Sequence, residues 1–257
     1  MFSNNDRRKN IIIPDILTPK LAEFIGIMVG DGHVGFSKYV SSKRTAINYE
    51  IRISGNLKDL DYYSQYTNSL AYELFNIKFQ VLEIKYDNSV MLYRNSKAMY
   101  CFFSQCLSIP QRKDHIQIPK QILNSTLEIK SAFLRELADS DFTFTLKRKE
   151  GRLYPVVQGS SKSKMLIDEV SSILKDLKIN HCIFFERSYY KRRDKIYERY
   201  AIYINGFSNV SEWFSKIGFS NKRHEERYLE FMKINAPEGI RIRGEIAVAK
   251  SLPRPKG

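Results

Sequence analysis

The chain repeats itself once, and this restricts the possible fold more than any other feature. VGDGHV around Asp31 is answered by ADSDFT around Asp141, 110 residues further on. LYRNSKAMYCFFSQCLSIPQRK, starting at Leu92, is answered by IYINGFSNVSEWFSKIGFSNKR, starting at Ile202, again at a spacing of 110. Between these, ISGN at 53–56 answers VQGS at 157–160. Gly55 and Gly159 lie 104 apart, so the leading hairpin of the first copy reads as about six residues longer. Three landmarks in the same order leave chance a poor explanation.

Each copy follows the same local grammar. In the first, Thr18 caps a helix with Pro19 at its first position, and LAEFIGIMVG runs to Asp31. In the second, Ser125 and Glu128 have capping-box spacing, and IKSAFLRELADS runs to Asp141. Alternating β-branched and aromatic stretches follow each helix, then a helix, two more strands and a shorter helix. The expected fold class is therefore α+β: two pseudo-symmetric α-β-β-α-β-β-α repeats around a central helix pair. The expected boundaries are an N-terminal extension at 1–14, a first repeat at 15–109, a linker at 110–124, a second repeat at 125–234, and a flexible basic tail at 235–257.

The pairing of the opening helices is read from small residues. Ala22, Gly26 and Gly30 fall four apart on one helical face, and the same offsets in the second copy give Ala132, Glu136 and Ser140. Such a stripe lets two backbones approach closely. Two positions of the second copy break the match. Glu136 predicts helices propped apart, or a buried carboxylate without a partner. Phe142, where the first copy has Gly32, predicts a changed turn next to Asp141.

If the stripes face each other, Asp31 and Asp141 emerge side by side from one end of the pair. Two carboxylates there repel each other and the negative helix ends. A hard divalent cation relieves that repulsion, with Mg²⁺ the expected ion and Mn²⁺ or Ca²⁺ able to take the same place. Metal beside a phosphodiester activates water and stabilises the developing charge. The partner class follows from charge. A net +14 and a pI of about 9.6 on a chain that is 43% hydrophobic suggest a folded domain for a polyanion. Three scattered cysteines fit neither a disulfide framework nor a zinc pattern, and read as buried free thiols. No apolar run is long enough for a membrane helix or for the core of a signal peptide, so a cytoplasmic protein or one of an organelle matrix is expected. His33 lies close to Asp31; His115, His181 and His224 show no ligand spacing.

FIGIMVGDG at 24–32 and LRELADSDF at 134–142 resemble the paired motif of LAGLIDADG homing endonucleases in their monomeric two-copy form, over roughly residues 15–230. The resemblance implies a saddle of two antiparallel sheets in the DNA major groove and a long asymmetric target site. It implies a double-strand break with short 3′ overhangs, made by a free-standing, intron-encoded monomer. It implies Mg²⁺ on Asp31 and Asp141, helped by backbone carbonyls at Gly30 and Ser140. It also implies a polar or basic residue at the base of each sheet, for which Gln158, Arg94 and Lys97 are candidates. The implied DNA contacts are Lys38, Lys43, Arg44 and Arg52 on the first hairpin and Lys147, Arg148, Lys149 and Arg152 on its counterpart. Lys191, Arg192, Arg193, Lys195 and Arg199 follow on the last hairpin. Two alternatives stay open. One is a nucleic-acid-binding protein of the same fold without cleavage, such as an intron RNA maturase or a DNA-binding regulator. The other is a general RNA- or ribosome-binding protein.

Overall fold

The computed structural model describes residues 2–40, 45–190, 194–237, 241–242 and 245–246. A short helix α1 (Asn4–Arg8) precedes α2 (Pro19–Gly30), β1 (Gly32–Val40) and β2 (Thr45–Asn56). A π-helical turn at 62–67 runs into α3 (Asn68–Phe75), followed by β3 (Gln80–Ile84), β4 (Ser89–Asn95) and α4 (Lys97–Cys101). After α5 (Lys120–Leu123) the order recurs as α6 (Leu127–Asp141), β5 (Phe142–Lys149), β6 (Arg152–Ser161), α7 (Lys164–Asp176), β7 (Cys182–Tyr190), β8 (Lys195–Asn205) and α8 (Phe207–Lys216). A further helix, α9 (Lys222–Asn235), closes the second copy. The strands form two antiparallel four-stranded sheets of identical topology, β1-β2-β4-β3 and β5-β6-β8-β7.

Helix α2 begins as the sequence dictates: the Thr18 side chain accepts from Leu21 N, and Pro19 occupies the first turn. For α6 the cap is Thr126, which accepts from Ile129 N, and not Ser125, whose hydroxyl donates to the carbonyl of Ile122. A residue one place earlier can therefore imitate a capping box while serving the preceding turn.

The two helices pack directly on each other. A Cβ at Gly26 would overlap the Phe133 carbonyl and crowd Glu136 Cβ at 3.1 Å; one at Gly30 would overlap Ser140. The glycines of α2 are thus what admits Glu136 and Ser140 of α6, and the helices are not propped apart. Glu136 is fully buried but well partnered. It accepts from the hydroxyls of Tyr62 (2.6 Å), Tyr66 (2.9 Å) and Ser220. Both tyrosines lie on the π-helical turn of the other copy, so the misfit in the second motif has become a contact between the copies.

Phe142 does not distort the chain after Asp141: its backbone is extended (φ −111°, ψ 165°), and it starts β5 directly. Its ring stacks on Trp213 at 5.8 Å and covers Gly159, where a Cβ would clash. Register also corrects the alignment of the copies. Gly32 pairs with Ile53, and Phe142 pairs with Gly159. The counterpart of Gly159 is therefore Ile53 rather than Gly55, the first hairpin is longer by four residues rather than six, and Gln158 corresponds to Arg52.

Candidate active site

Asp31 caps α2, and Asp141 is the last residue of α6, so close packing of the two helices brings both carboxylates to the same end. Asp31 is half-buried and accepts from the Tyr63 hydroxyl at 2.6 Å. Burial raises its pKa, while that hydrogen bond and the Lys113 charge hold it down. Asp141 keeps an exposed rim. The protein packed around its carboxyl, reinforced by the Asp31 charge, pushes it up to about 7 against the pull of Lys113.

Lys113 is the residue that the sequence reading missed. It lies in the connector between the copies, on a short 3-10 turn at 113–115. Its ammonium donates to the Gly30 carbonyl and faces both Asp31 and Asp141. Burial lowers its pKa and the two carboxylates oppose that shift. The sequence did hold a signal, because Lys113 aligns with Arg223 at the repeat spacing and both stand in the segment that closes a copy. Arg223 differs in place and partner: its guanidinium pairs with Asp59 at 3.1 Å, and Asp59 also accepts from Asn221 at 2.8 Å.

The other candidates separate by strand alternation. Ile51, Ile53 and Leu92 are fully buried and mark the helix-covered face of the first sheet; Phe144, Val157, Ile202 and Ile204 mark that of the second. Residues paired across neighbouring strands share a face. Gln158, opposite Thr143 and Tyr203, lies on the open face of the second sheet, one residue from the pair that starts β5. Arg52, opposite His33 and Tyr93, takes the same position in the first. Arg94 lies opposite Ile51, on the helix-covered face, and Lys97 sits in α4 over the Tyr49 ring at 5.8 Å. Arg94 shares its face with the buried Leu92 two residues earlier, and Arg52 holds the open-face position that corresponds to Gln158.

Of the candidate polyanion contacts, Arg52, Lys147, Arg152, Lys195 and Arg199 have open-face register, and Lys149 pairs in the ladder with Arg152. Lys38, opposite Ile47, and Arg148, opposite Leu153, belong to the other face. Lys43, Arg44, Lys191, Arg192 and Arg193 lie outside the described residues. The open face is braced internally. Lys147 sits over the Tyr203 ring at 4.0 Å, Tyr203 donates to Glu186, and Glu186 pairs with Arg199 at 2.7 Å. Asp139 does not enter the site; its Oδ2 accepts from the backbone N–H groups of Ser220 (2.7 Å) and Asn221 (3.1 Å). His33 lies beside Arg52, and burial followed by that charge lowers its pKa.

A divalent cation fits this donor set. Two carboxylates and the Gly30 carbonyl are hard oxygen donors, and Lys113 already places a positive charge among them. Among the described residues no cluster of three or more His, Cys, Asp or Glu could hold a metal by itself. Water and a substrate oxygen would have to complete the shell, as is usual for Mg²⁺. No helix of the described residues is long and apolar enough to cross a membrane. Cys101 is buried and Cys106 is exposed, so the expectation of buried thiols holds only in part.

Comparison with known proteins agrees with this architecture. Residues 128–218 match the family model of the LAGLIDADG-like domain. The chain is 34% identical over 131 residues to an A-type ATP synthase subunit of Pyrococcus abyssi, covering 50% of this chain and 11% of that protein. It is 27% identical over 218 residues to the replication factor C small subunit of Methanocaldococcus jannaschii, covering 85% of this chain and 10% of that protein. The chain thus spans about a tenth of the length of these relatives. Among solved structures it is similar to I-DmoI in complex with DNA and Mn, with TM-score 0.54 and 20% identity over 80% of this chain and 99% of that one. It is also similar to the I-LtrWI LAGLIDADG homing endonuclease bound to target DNA, with TM-score 0.52 and 10% identity over 84% and 90%.

Proposed function

We propose that the chain is a homing-type endonuclease of the two-motif LAGLIDADG form acting as a monomer; the family-model match over 128–218 and the fold it shares with I-DmoI and I-LtrWI support this reading. It cuts both strands of duplex DNA at one long asymmetric site and leaves 3′ overhangs. The observation that carries this reading is the pair of carboxylates, Asp31 and Asp141, at adjoining helix ends with the Lys113 ammonium facing both. A structural capping role would not bring two like charges to adjoining helix ends and set a lysine facing both.

In this reading Mg²⁺ is held by Asp31, Asp141 and the carbonyls of Gly30 and Ser140, and it supplies an activated water and charge stabilisation at the phosphodiester. Tyr63 fixes the orientation of Asp31. Lys113 stabilises negative charge that develops beside the helix ends, and Gln158 and Arg52 hold water or phosphate at the base of each sheet. Arg52, Lys147, Arg152, Lys195 and Arg199 furnish salt-dependent phosphate contacts and base-edge recognition from the open faces. The test is incubation with Mg²⁺ and a pool of plasmids carrying randomised inserts. Linear products with a common junction and 3′ overhangs are expected; tight binding without metal-dependent breaks would favour a binding protein of the same fold.

Two further outcomes follow from the electrostatics. Lys113→Met is expected to lower cleavage by on the order of 10²-fold, as for loss of one preorganised donor to developing charge. Unchanged single-turnover rates would remove Lys113 from the chemistry. Because Asp141 must lose its proton to hold a cation, cleavage at low Mg²⁺ is expected to fall as pH drops below about 7. Added Mg²⁺ competes with the proton and should move that midpoint downward. Rate profiles at two Mg²⁺ concentrations check this, and a midpoint insensitive to metal would contradict it.

A further inference from the structure

In the row beyond Arg52 or Gln158, the open face of each sheet carries an exposed apolar side chain at its edge strand. In the first sheet, Ser54, Met91 and Leu82 lie opposite one another across β2, β4 and β3. In the second, Ser160, Ala201 and Phe184 do the same across β6, β8 and β7. Leu82 is 45% exposed and Phe184 is 54% exposed. Ala201 is buried yet stands apart from the hydrophobic core, which places it on the open side. The Phe184 ring meets Tyr203 edge-on at 5.7 Å, so Phe184 is held in place before any partner arrives.

These rows lie next to the catalytic carboxylates. Ser54 N donates to the Asp31 carbonyl at 3.2 Å, and Ser160 lines one cleft together with Asp141 and Lys113. The neighbouring row on each sheet holds Arg52 or Gln158. With a duplex laid along the open faces, as the proposed function requires, base pairs beside the cut points would meet an apolar side chain at the edge strand of each sheet. In the major groove the thymine C5-methyl is the apolar feature that base pairs display.

We propose that Leu82 with Met91, and Phe184 on the second sheet, select thymine at one position on each side of the cleavage centre by packing against its methyl group. This rests on the reading of the chain as a duplex-cutting enzyme. The two contacts differ in shape, a flexible Leu–Met pair against a single ring braced on Tyr203, so the two half-sites differ in the step they accept. Lysines and arginines elsewhere on the open faces bring the duplex in without regard to sequence; the apolar side chains add discrimination where charge cannot.

The test uses the full chain carrying Asp31→Asn and a pool of randomised duplex oligonucleotides, from which bound molecules are recovered and sequenced. Thymine should be enriched at two positions placed on either side of the centre. Leu82→Ala should erase the preference at one position and Phe184→Ala at the other, with melting temperatures unchanged because both side chains are exposed. Replacing either thymine with deoxyuridine should weaken binding about fourfold, the effect of one buried methyl-sized group. The matching alanine variant should not respond to the replacement. A consensus lacking thymine at such positions, or affinity indifferent to deoxyuridine, overturns the inference while leaving site-specific recognition intact. Absence of any consensus overturns both.

Discussion

Asp31→Asn and Asp141→Asn, each alone, are expected to reduce Mg²⁺-dependent double-strand cleavage by 10²–10³-fold or more, on the order of what loss of one preorganised electrostatic group costs. The geometry makes the two aspartates interdependent. They sit on adjoining helix ends, the Asp31 charge raises the proton affinity of Asp141, and both face the Lys113 ammonium. An asparagine keeps the shape and still accepts the Tyr63 hydrogen bond, but it cannot balance a divalent ion. Duplex affinity should hold or tighten, because removing a carboxylate lessens repulsion of phosphate. Gel shift at matched salt, beside end-labelled cleavage of each strand, separates the two effects. Cleavage within tenfold of wild type by either variant would move the chemistry away from the helix ends.

The second large effect concerns Glu136. A glycine there would restore the small-residue stripe, yet Glu136→Gly is expected to destabilise the protein. It leaves the hydroxyls of Tyr62, Tyr66 and Ser220 without their shared acceptor and opens a void beside Gly26. At about 1–3 kcal/mol for each stranded buried group, the loss is roughly 3–6 kcal/mol, a fall in Tm on the order of 10 °C. Glu136→Gln should behave in the opposite way. Burial raises the Glu136 carboxyl, and its hydroxyl partners only partly oppose this. A carboxyl raised on folding contributes stability that is complete below its unfolded value and lost as pH climbs through its folded one. Wild type should therefore lose stability between about pH 5 and 8, and the glutamine variant should lose less over the same window. Some slope remains in the variant, because burial raises Glu23 and Asp139 as well. Thermal unfolding at both pH values decides the matter, and parallel slopes would refute the assignment.

The parts of the fold that follow local rules could be read from the sequence. The repeat, the α-β-β-α-β-β-α order in each copy and the small-residue helix face all depend on periodicities of a few residues. Asp31 and Asp141 were accessible for the same reason, since the repeat aligned them and the glycines implied a close pair. Contacts that cross between copies were not accessible. Glu136 looked stranded because its tyrosine partners lie 74 and 70 positions earlier, on a π-helical turn that periodicity does not mark. Lys113 lay in what composition described as a linker. Arg94 and Lys97 are candidates that the family resemblance implies, whereas strict alternation from Leu92 puts Arg94 on the covered face. The alignment of Gly55 with Gly159 matched two glycines that do not occupy equivalent places; only strand register reveals Arg52 as the counterpart of Gln158.

The position of Lys113 has an evolutionary consequence. A duplicated gene can in principle be split again into two identical proteins, provided each half carries everything its reaction needs. Here the junction itself contributes a cation to the shared centre, while the corresponding residue of the second copy, Arg223, is engaged with Asp59. The second half therefore lacks a free counterpart of Lys113 at this centre, and fission would separate unequal pieces.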